Sequence, residues 1–318
     1  MKRTSAPFLI ILLMAILPWP IHAQLPAVHQ DPEARFREAM DLFEKEKYPA
    51  ARELFFALMH DADVVAIPVL RAEAAYHEAL CALELFNQDS RDRLLGFIDD
   101  HANNNHTNMV KFHLGRSEYQ KKSYRAAIRY FEAVDTKELK GEAKAEYHFK
   151  KGYAHLSEEE FDAATKEFAK VKDSRTRYAG PVNYYYAHLA YIRGDYNTAR
   201  EGFVRIAQDA HFKKIVPHYL IQIDYATADW EKVILNGPEL MQDATGSRKA
   251  EIARMTGDAY YYSGQYEAAV PFLKSYIETP GQRPSRTDFY QLGIACYKSG
   301  DMACAESNLQ KASVNALD

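Results

Sequence analysis

One pair of small side chains recurs along this sequence at a fixed spacing. In four stretches a glycine is followed twelve residues later by an alanine: Gly115/Ala127, Gly152/Ala164, Gly257/Ala269 and Gly293/Ala305. Two more stretches carry alanine at both places: Ala39/Ala51 and Ala187/Ala199. Two antiparallel helices joined by a short turn approach closely only where facing side chains are small. The spacing therefore predicts a series of helical hairpins.

Large side chains follow each pair at constant distances. Nine residues after the first small residue stands Tyr48, Tyr124, Phe161, Tyr196, Trp230, Tyr266 or Met302. Sixteen residues after it stands Phe55, Phe131, Phe168, Phe203, Leu273 or Leu309. A single hairpin cannot bury its own apolar face, so we expect these side chains to fill the space between successive hairpins. Gly194, Gly264 and Gly300 come seven residues after the first small position, where the first helix must end and the chain must turn.

This pattern resembles the tetratricopeptide repeat family, which has small residues at positions eight and twenty and large ones at seventeen and twenty-four. The resemblance implies an all-α fold, a right-handed superhelical α-solenoid of antiparallel helix pairs. Counting back from the small residues gives about eight units over 32–318, starting near 32, 72, 108, 145, 180, 214, 250 and 286. The first and second helix of each hairpin are called helix A and helix B.

Two units depart from the pattern. In the second, Arg91 stands where the second alanine should be. In the sixth, Ile221 and Val233 form the facing pair and Gly237 replaces the aromatic residue. We expect the two helices of the sixth unit to sit farther apart than those of the others.

The first residues are typical of a signal peptide. Lys2 and Arg3 precede an apolar run, 8–17, and Ala23 follows a proline break. We expect a signal peptide over 1–23 and a short linker over 24–31, with an uncleaved anchor as the alternative. The stretch 76–101 also resembles the opening repeats of large exported proteins of Bacteroidota-type bacteria. This resemblance implies a periplasmic or outer-membrane-associated location in a Gram-negative cell.

The search for chemistry finds no catalytic signature. The sequence has no Walker loop, no G-x-S-x-G, no H-E-x-x-H and no dinucleotide fingerprint, so we expect neither an enzyme nor a cofactor. His101 and His106 are five residues apart, which is not the spacing of two metal ligands on one helix face. A formal net charge of −4 disfavours nucleic acid as a partner. Apart from the first residues, no stretch is apolar enough to span a membrane.

The three cysteines leave at least one thiol unpaired within the chain. Cys296 and Cys304 lie eight residues apart, on the two helices of one hairpin near its turn. In an oxidising compartment a disulfide could join them, and the alternative is two small buried side chains. Cys81 is expected to be a packed thiol.

The family resemblance implies that helix A builds the concave binding face, chiefly with its second, fifth, ninth and twelfth positions. Carried onto this chain, it gives a candidate partner-binding groove that is rich in aromatic residues. The groove residues are Phe36, Tyr76, Phe112, Tyr119, Phe149, Tyr153, Tyr184, His188, Tyr191, His218, Tyr225, Tyr261, Tyr290 and Tyr297. The alternative for each ring is ordinary packing on the next helix. Binding is favoured most at Tyr184, His188 and Tyr191, where three polar aromatic side chains should cluster.

The expected function is a non-enzymatic interaction scaffold of the cell envelope, with protein or peptide partners. The alternative is the N-terminal portion of a larger exported protein whose remaining part carries another activity. The chain stops after one full unit without a polar capping helix, which leads us to expect a fragment.

Overall fold

The computed structural model describes residues 31–314, and that part of the chain consists of helices and connections without a strand. The all-α prediction is confirmed. The predicted signal peptide (1–23) lies outside the described residues, as does the predicted linker up to its last residue.

Within 31–314, sixteen helices pair into eight hairpins, and one short extra helix lies between the first two pairs. In chain order they are α1 (Pro32–Glu44), α2 (Tyr48–His60), α3 (Ala62–Val65), α4 (Pro68–Glu84), α5 (Ser90–Asp100), α6 (Thr107–Gln120), α7 (Tyr124–Glu132), α8 (Gly141–Ser157), α9 (Phe161–Ala169), α10 (Ala179–Ile192), α11 (Tyr196–Ile206), α12 (Val216–Ala226), α13 (Trp230–Asp243), α14 (Gly246–Tyr262), α15 (Tyr266–Ile277), α16 (Arg286–Lys298) and α17 (Met302–Val314). Helices α4, α8 and α14 begin one helical turn before the starts counted from the sequence.

The chain divides into two compact units at the boundary between Ala102 and Asn103. Unit 1 holds the first two hairpins, α1–α5. Unit 2 holds the remaining six, α6–α17. Within unit 2 the apolar residues form separate clusters along the chain, each shared by adjacent helices rather than gathered into one central core. This is the arrangement expected of a repeat array, in which each hairpin packs on its neighbours.

The structure explains why the first residue of each pair is small. A Cβ atom added to Gly115 would lie 2.5 Å from Cε1 of Phe131. One added to Gly257 would lie 2.7 Å from Cδ2 of Leu273. The large residue sixteen places later therefore packs directly against the backbone of helix A, and any larger side chain at the glycine would push the helices apart.

In the second hairpin, the small residue that faces helix A lies one position earlier than the repeat pattern predicts. Arg91 points outward, with 44% of its side chain exposed. Ser90 takes the inward place instead, and it is buried together with Leu94 and Phe97. Because the small residue has moved by one position, the face of α5 that packs on α4 is rotated relative to the pattern read from the sequence.

In the sixth hairpin, Gly237 makes a close contact with the next hairpin. A Cβ atom there would lie 2.1 Å from Oγ1 of Thr256, so the backbone of α13 lies directly against α14. Ile221 and Val233 are both almost completely buried. At the place of the missing aromatic residue, the backbone of α13 therefore packs against the side chain of Thr256 on α14.

Candidate functional site: the aromatic face of the A helices

We call the predicted groove residues of unit 2, with the rings that pack beside them, the aromatic face. Most of the predicted groove residues are half-buried rather than free in solvent. The rings and imidazoles of intermediate exposure are Phe36, Tyr119, Phe149, Tyr153, Tyr184, His188, Tyr191, His218, Tyr225 and Tyr261. Tyr290 and Tyr297 on α16 are about half exposed, at 50% and 52%. A half-buried ring has one face fixed by packing and another edge open to a partner.

Two predicted groove residues, Phe112 and Tyr76, are buried, which agrees with the packing alternative for these rings. Phe112 is 2% exposed, with its ring between those of Phe131 and Tyr147 at centroid distances of 6.2 and 6.4 Å. Tyr147 closes over it because its hydroxyl donates a hydrogen bond to the carbonyl of Phe131 at 2.9 Å. Tyr76 is 6% exposed and packs on Phe97. Both are core residues.

In unit 1 the remaining predicted ring, Phe36, packs against its own hairpin and the next one. Its centroid lies 5.6 Å from that of Phe55 and 5.9 Å from that of His77. The ring of Phe55 also stacks on the imidazole of His77. Phe36 therefore belongs to the edge of an aromatic core and offers little surface to a partner.

Three tyrosines of unit 2 form a closed group that we call the tyrosine triangle: Tyr119, Tyr124 and Tyr153. Their ring centroids are 5.7, 5.8 and 5.9 Å apart in edge-to-face geometry. The ammonium of Lys150 lies 5.0 Å from the centroid of Tyr119, within cation–π range. Burial raises the pKa of the Tyr119 hydroxyl, so the ring stays protonated and neutral.

Phe149 and Tyr153 connect the triangle to the next hairpin. The Phe149 ring lies 5.4 Å from that of Tyr178, and Tyr153 lies 5.2 Å from Tyr185. Burial, with the neighbouring tyrosines, raises the pKa of Tyr185 to about 12. Aromatic contacts therefore run without a break from α6 to α10.

The three residues favoured from sequence, Tyr184, His188 and Tyr191, are brought together around a fourth, Tyr219. We call these four the histidine cluster. The centroid of Tyr219 lies 6.1 Å from Tyr184, 5.6 Å from His188 and 5.7 Å from Tyr191. The hydroxyls of Tyr184 and Tyr219 are 3.3 Å apart.

His188 is the chemically distinctive member of the histidine cluster. Its ring lies parallel to that of Tyr184, and burial lowers its pKa, so the imidazole is neutral at pH 7. Among the described residues its Nδ1 atom has no hydrogen-bond partner. This Nδ1 atom is itself buried, so it does not face the open side of the cluster.

Beyond the histidine cluster the face becomes polar. Tyr225 donates a hydrogen bond to Oδ2 of Asp258 at 2.8 Å, and the guanidinium of Arg254 lies 5.5 Å from the Tyr225 centroid. Burial raises the pKa of Asp258, and that of Tyr225 reaches about 12 through burial and the nearby Asp258 carboxylate. These contacts fix Tyr225 in place, while Oδ1 of Asp258 is buried without a hydrogen-bond partner among the described residues.

His218 belongs to the same polar stretch. Its Nε2 atom lies 3.2 Å from the amide nitrogen of Gln222 and 3.5 Å from Oε2 of Glu251. Gln222 in turn donates to Glu251 at 2.9 Å. The predicted residue His218 is thus a member of an internal hydrogen-bond network.

Tyr261 lies among rings that the repeat pattern does not assign to the groove. Its centroid is 5.6 Å from that of Tyr266 and 5.5 Å from that of Tyr262. Tyr262 is 56% exposed and stacks on Trp230 at 5.3 Å. For Trp230 the repeat pattern predicts only packing between hairpins. Tyr262 comes directly after the twelfth repeat position, so the pattern does not assign it to the groove.

Tyr219 and Tyr185 are the other members of the face that sequence reasoning missed. Both stand two residues before the first residue of the facing pair, Ala187 or Ile221, where the pattern requires nothing particular. Tyr219 stacks on Phe203 at 4.6 Å, and Tyr185 stacks on Phe168 at 5.9 Å. The recurrence of His77, His113, Tyr185 and Tyr219 at this one position was the available signal.

Cys296 and Cys304 face each other across the last hairpin, with Cα atoms 5.8 Å apart and a disulfide between the sulfurs. Asp301 lies close by, and its side chain accepts a hydrogen bond from the Cys304 amide at 3.0 Å. The three residues form a group of metal-ligand type, with ligand atoms within 4.8 Å of one another. Sulfurs joined in a disulfide are not thiolate ligands, so the two states exclude each other.

The described hairpins form an all-α repeat array, the fold that the resemblance to tetratricopeptide repeats predicted. No protein-family model matches the sequence, and a search of curated proteins finds nothing similar. The solved structures that resemble this chain include two bacterial repeat proteins. One is a tetratricopeptide repeat protein from Parabacteroides merdae, with 12% identity, a TM-score of 0.46, and coverage of 83% of this chain and 98% of that one. The other is the C-terminal part of a TPR repeat-containing protein from Cytophaga hutchinsonii, with 15% identity, a TM-score of 0.46, and coverage of 88% and 95%.

Proposed function

We propose that this chain is a non-enzymatic scaffold that binds a partner protein on the aromatic face of the A helices of unit 2. The observation that carries the proposal is the histidine cluster, in which Tyr184, His188 and Tyr191 are held around Tyr219. Tyrosine is stiff and amphipathic, and it is enriched at the energetic centres of protein interfaces.

The rings are already positioned before any partner arrives. Each member of the tyrosine triangle contacts the other two, and Tyr219 contacts the other three members of the histidine cluster. Because these side chains have little rotamer freedom left to lose, binding on them costs little ordering entropy. A half-exposed row of this kind suits an extended peptide or one face of a helix.

Site-specific photo-crosslinking tests the proposal. A benzophenone amino acid is placed at Tyr191 on the face and, in a matched control, at Val204 on α11, which is 56% exposed. In envelope extract we expect the Tyr191 derivative to capture a defined protein that the Val204 derivative does not. Tyr184→Ala with His188→Ala should then abolish the capture, with the helical circular dichroism unchanged. Identical captures at both positions would reject the face as the binding site.

We also propose that the chain is exported to the periplasm. The support is the signal-type sequence 1–23. Within 31–314 no helix is long and apolar enough to cross a bilayer. N-terminal sequencing of the protein recovered from a periplasmic fraction should begin at Gln24. Recovery from the cytoplasm with Met1 intact would contradict export.

In that oxidising compartment, Cys296 and Cys304 should be joined. Mass spectrometry of a non-reduced digest should recover the two cysteine peptides as one linked species, and Cys81 as a free thiol. Free thiols at both Cys296 and Cys304 would end this part of the proposal.

A further inference from the structure

A cavity of about 630 Å³ opens on one side of the fourth hairpin, between helix α8 and the connection that follows α9. Its lining consists of Thr136, Gly141, Lys144, Ala145, His148, Lys170, Val171, Ser174 and Thr176. This volume lies in the range of small-molecule sites in proteins. None of these residues belongs to the aromatic face.

One wall is a single face of helix α8. Lys144, Ala145 and His148 come three, four and seven residues after Gly141, so the four residues share one face of the helix. This face begins at the first turn of α8, where Lys140 provides no side-chain cap for the free backbone amides. These amides add donors and a partial positive charge to that end of the cavity.

His148 stands at the inner end of this face and is 4% exposed. Its Nδ1 atom lies 2.7 Å from Oε2 of Glu167. Glu167 is a carboxylate at neutral pH, so Nδ1 carries the proton and donates it. This bond fixes the orientation of the imidazole, and Nε2 is the ring nitrogen that remains for another partner.

The opposite wall is the connection between α9 and α10, which is held rigidly in place. The Asn183 side-chain amide donates to the carbonyls of Lys172 and Ala179 at 2.7 and 2.8 Å. The amide of Arg177 donates to Glu142 on the first turn of α8 at 3.3 Å. Ser174 and Thr176 share a hydrogen bond of 2.8 Å between their hydroxyls. Both walls are therefore formed before any ligand binds.

The polar groups of the lining are donors far more than acceptors. Lys144 and Lys170 are cations, Thr136, Ser174 and Thr176 carry hydroxyls, and the described lining contains no carboxylate. Glu167 lies behind the wall, where it bonds to His148 and to Lys170 at 3.2 Å. It offsets part of the charge but leaves the second lysine and the hydroxyls for a ligand.

We propose that this cavity binds an oxyanion, the phosphate or carboxylate group of a small organic molecule. Lys144, Ser174, Thr176 and the first amides of α8 bind the oxygens, and Lys170 adds charge from the far wall. Ala145 and Val171 form an apolar floor beneath the organic part. Charge-assisted hydrogen bonds of this kind are the strong ones in proteins, and a helix start is a ready anion site when side chains of this type surround it.

The test is an NMR titration of the full ¹⁵N-labelled chain with inorganic phosphate, sulfate and acetate. Sodium chloride keeps the ionic strength equal throughout. We expect saturable amide shifts confined to 141–148 and 170–177. Phosphate and sulfate binding without acetate binding indicates a tetrahedral anion, whereas comparable binding of acetate indicates a carboxylate ligand. Either result supports the proposal.

Charge-matched variants separate a site from general attraction. K144M with K170M should raise the dissociation constant by about tenfold or more, as expected when charged hydrogen-bond donors are lost. K213M with K214M removes the same charge from exposed positions of unit 2 and should leave the constant unchanged. Shifts that fail to saturate, or equal affinities in the two double variants, would overturn the proposal. A negative result in this titration would not bear on the proposed binding of a partner protein to the aromatic face.

Discussion

At the scale of single residues, the same backbone conformation closes each of the eight described hairpins. The residue seven places after the first small position has a positive φ in every one: Glu46, Phe86, Lys122, Glu159, Gly194, Ala228, Gly264 and Gly300. Glycine was expected at three of these places and is found there in a left-handed turn. The other five are side-chain-bearing residues forced into a conformation that costs them about 1–2 kcal/mol.

Phe86 is the least suitable of these residues for its position. Its φ is 55°, and its ring is 76% exposed, so it gains little from packing. We expect Phe86→Gly to raise the free energy of unfolding by about 0.5–1 kcal/mol, because glycine adopts this conformation without steric cost. Urea denaturation followed by circular dichroism measures the change.

The reciprocal control for Phe86 is Gly264→Ala, where φ is 73°. That variant should lose about 1 kcal/mol, since alanine gains the strain that Phe86→Gly removes. A loss of stability in Phe86→Gly would show instead that the ring makes a contact worth more than the backbone strain.

Glu167 makes the stability of the fold depend on pH. Its burial alone would raise its pKa, but the hydrogen bond from His148 and the charges of Lys151 and Lys170 outweigh that effect. The pKa is lowered from 4.5 to about 2. The folded state therefore gains stability above the unfolded pKa, and that gain disappears as the pH falls from about 4.5 towards 2.

We expect about 2 kcal/mol of unfolding free energy to be lost across that window, a value already reduced for partial solvent screening. Glu167→Gln should be less stable than the parent at pH 7 and should lack this component of the acid slope. Urea midpoints at pH 7, 5 and 3 for the two chains make the comparison. Parallel slopes would mean that Glu167 does not carry the effect.

At the scale of helices, the closeness of each pair depends on one backbone contact. A Cβ atom on Gly257 would lie 2.7 Å from a Leu273 methyl carbon and 3.0 Å from its backbone nitrogen. A side chain can rotate away, but the backbone of a packed helix cannot. We expect Gly257→Ala to cost about 1–3 kcal/mol of unfolding free energy, although alanine is the better helix former.

Gly96→Ala is the matched control for Gly257→Ala. Gly96 lies inside helix α5 and has no neighbouring atom within 4 Å of an added Cβ. The same substitution should therefore stabilise the chain by about 0.5–1 kcal/mol through helix propensity alone. Thermal unfolding of both variants gives the comparison, and equal signs would refute the packing argument.

At the scale of the whole molecule, unit 2 consists of clusters that are arranged in series. Val134 and Ile252 belong to different clusters, with two others between them along the chain. We expect Val134→Ala and Ile252→Val, each costing about 1 kcal/mol, to add within about 0.5 kcal/mol when combined. Urea denaturation of the two single variants and the double variant measures this sum.

Phe168 and Tyr185 provide the contrasting pair, because their rings stack at 5.9 Å within one cluster. Phe168→Leu and Tyr185→Leu should show an interaction energy of about 0.5–1.5 kcal/mol. Strong coupling between the distant pair, as large as that within the stacked pair, would show that unit 2 behaves as one core.

Much of the architecture could be predicted because the repeat is a local rule. Glycine and alanine twelve apart, with Phe131 or Leu273 four residues after the second of them, specify one hairpin and its packing within about 20 residues. The helix starts were less predictable. Helices α8 and α14 begin a turn early, each at a glycine with a positive φ.

Side-chain size at fixed spacing was enough to specify an all-α chain of helical hairpins, because that pattern is present in the amino-acid sequence itself. Which rings remain accessible was settled only when the hairpins packed together. Phe112 and Tyr184 occupy the same repeat position. Tyr147 packs on the ring of Phe112, which is buried, whereas Tyr219 packs on the ring of Tyr184 and leaves it partly exposed. The physical reason is that burial depends on the side chains of the next hairpin, which the repeat pattern does not specify.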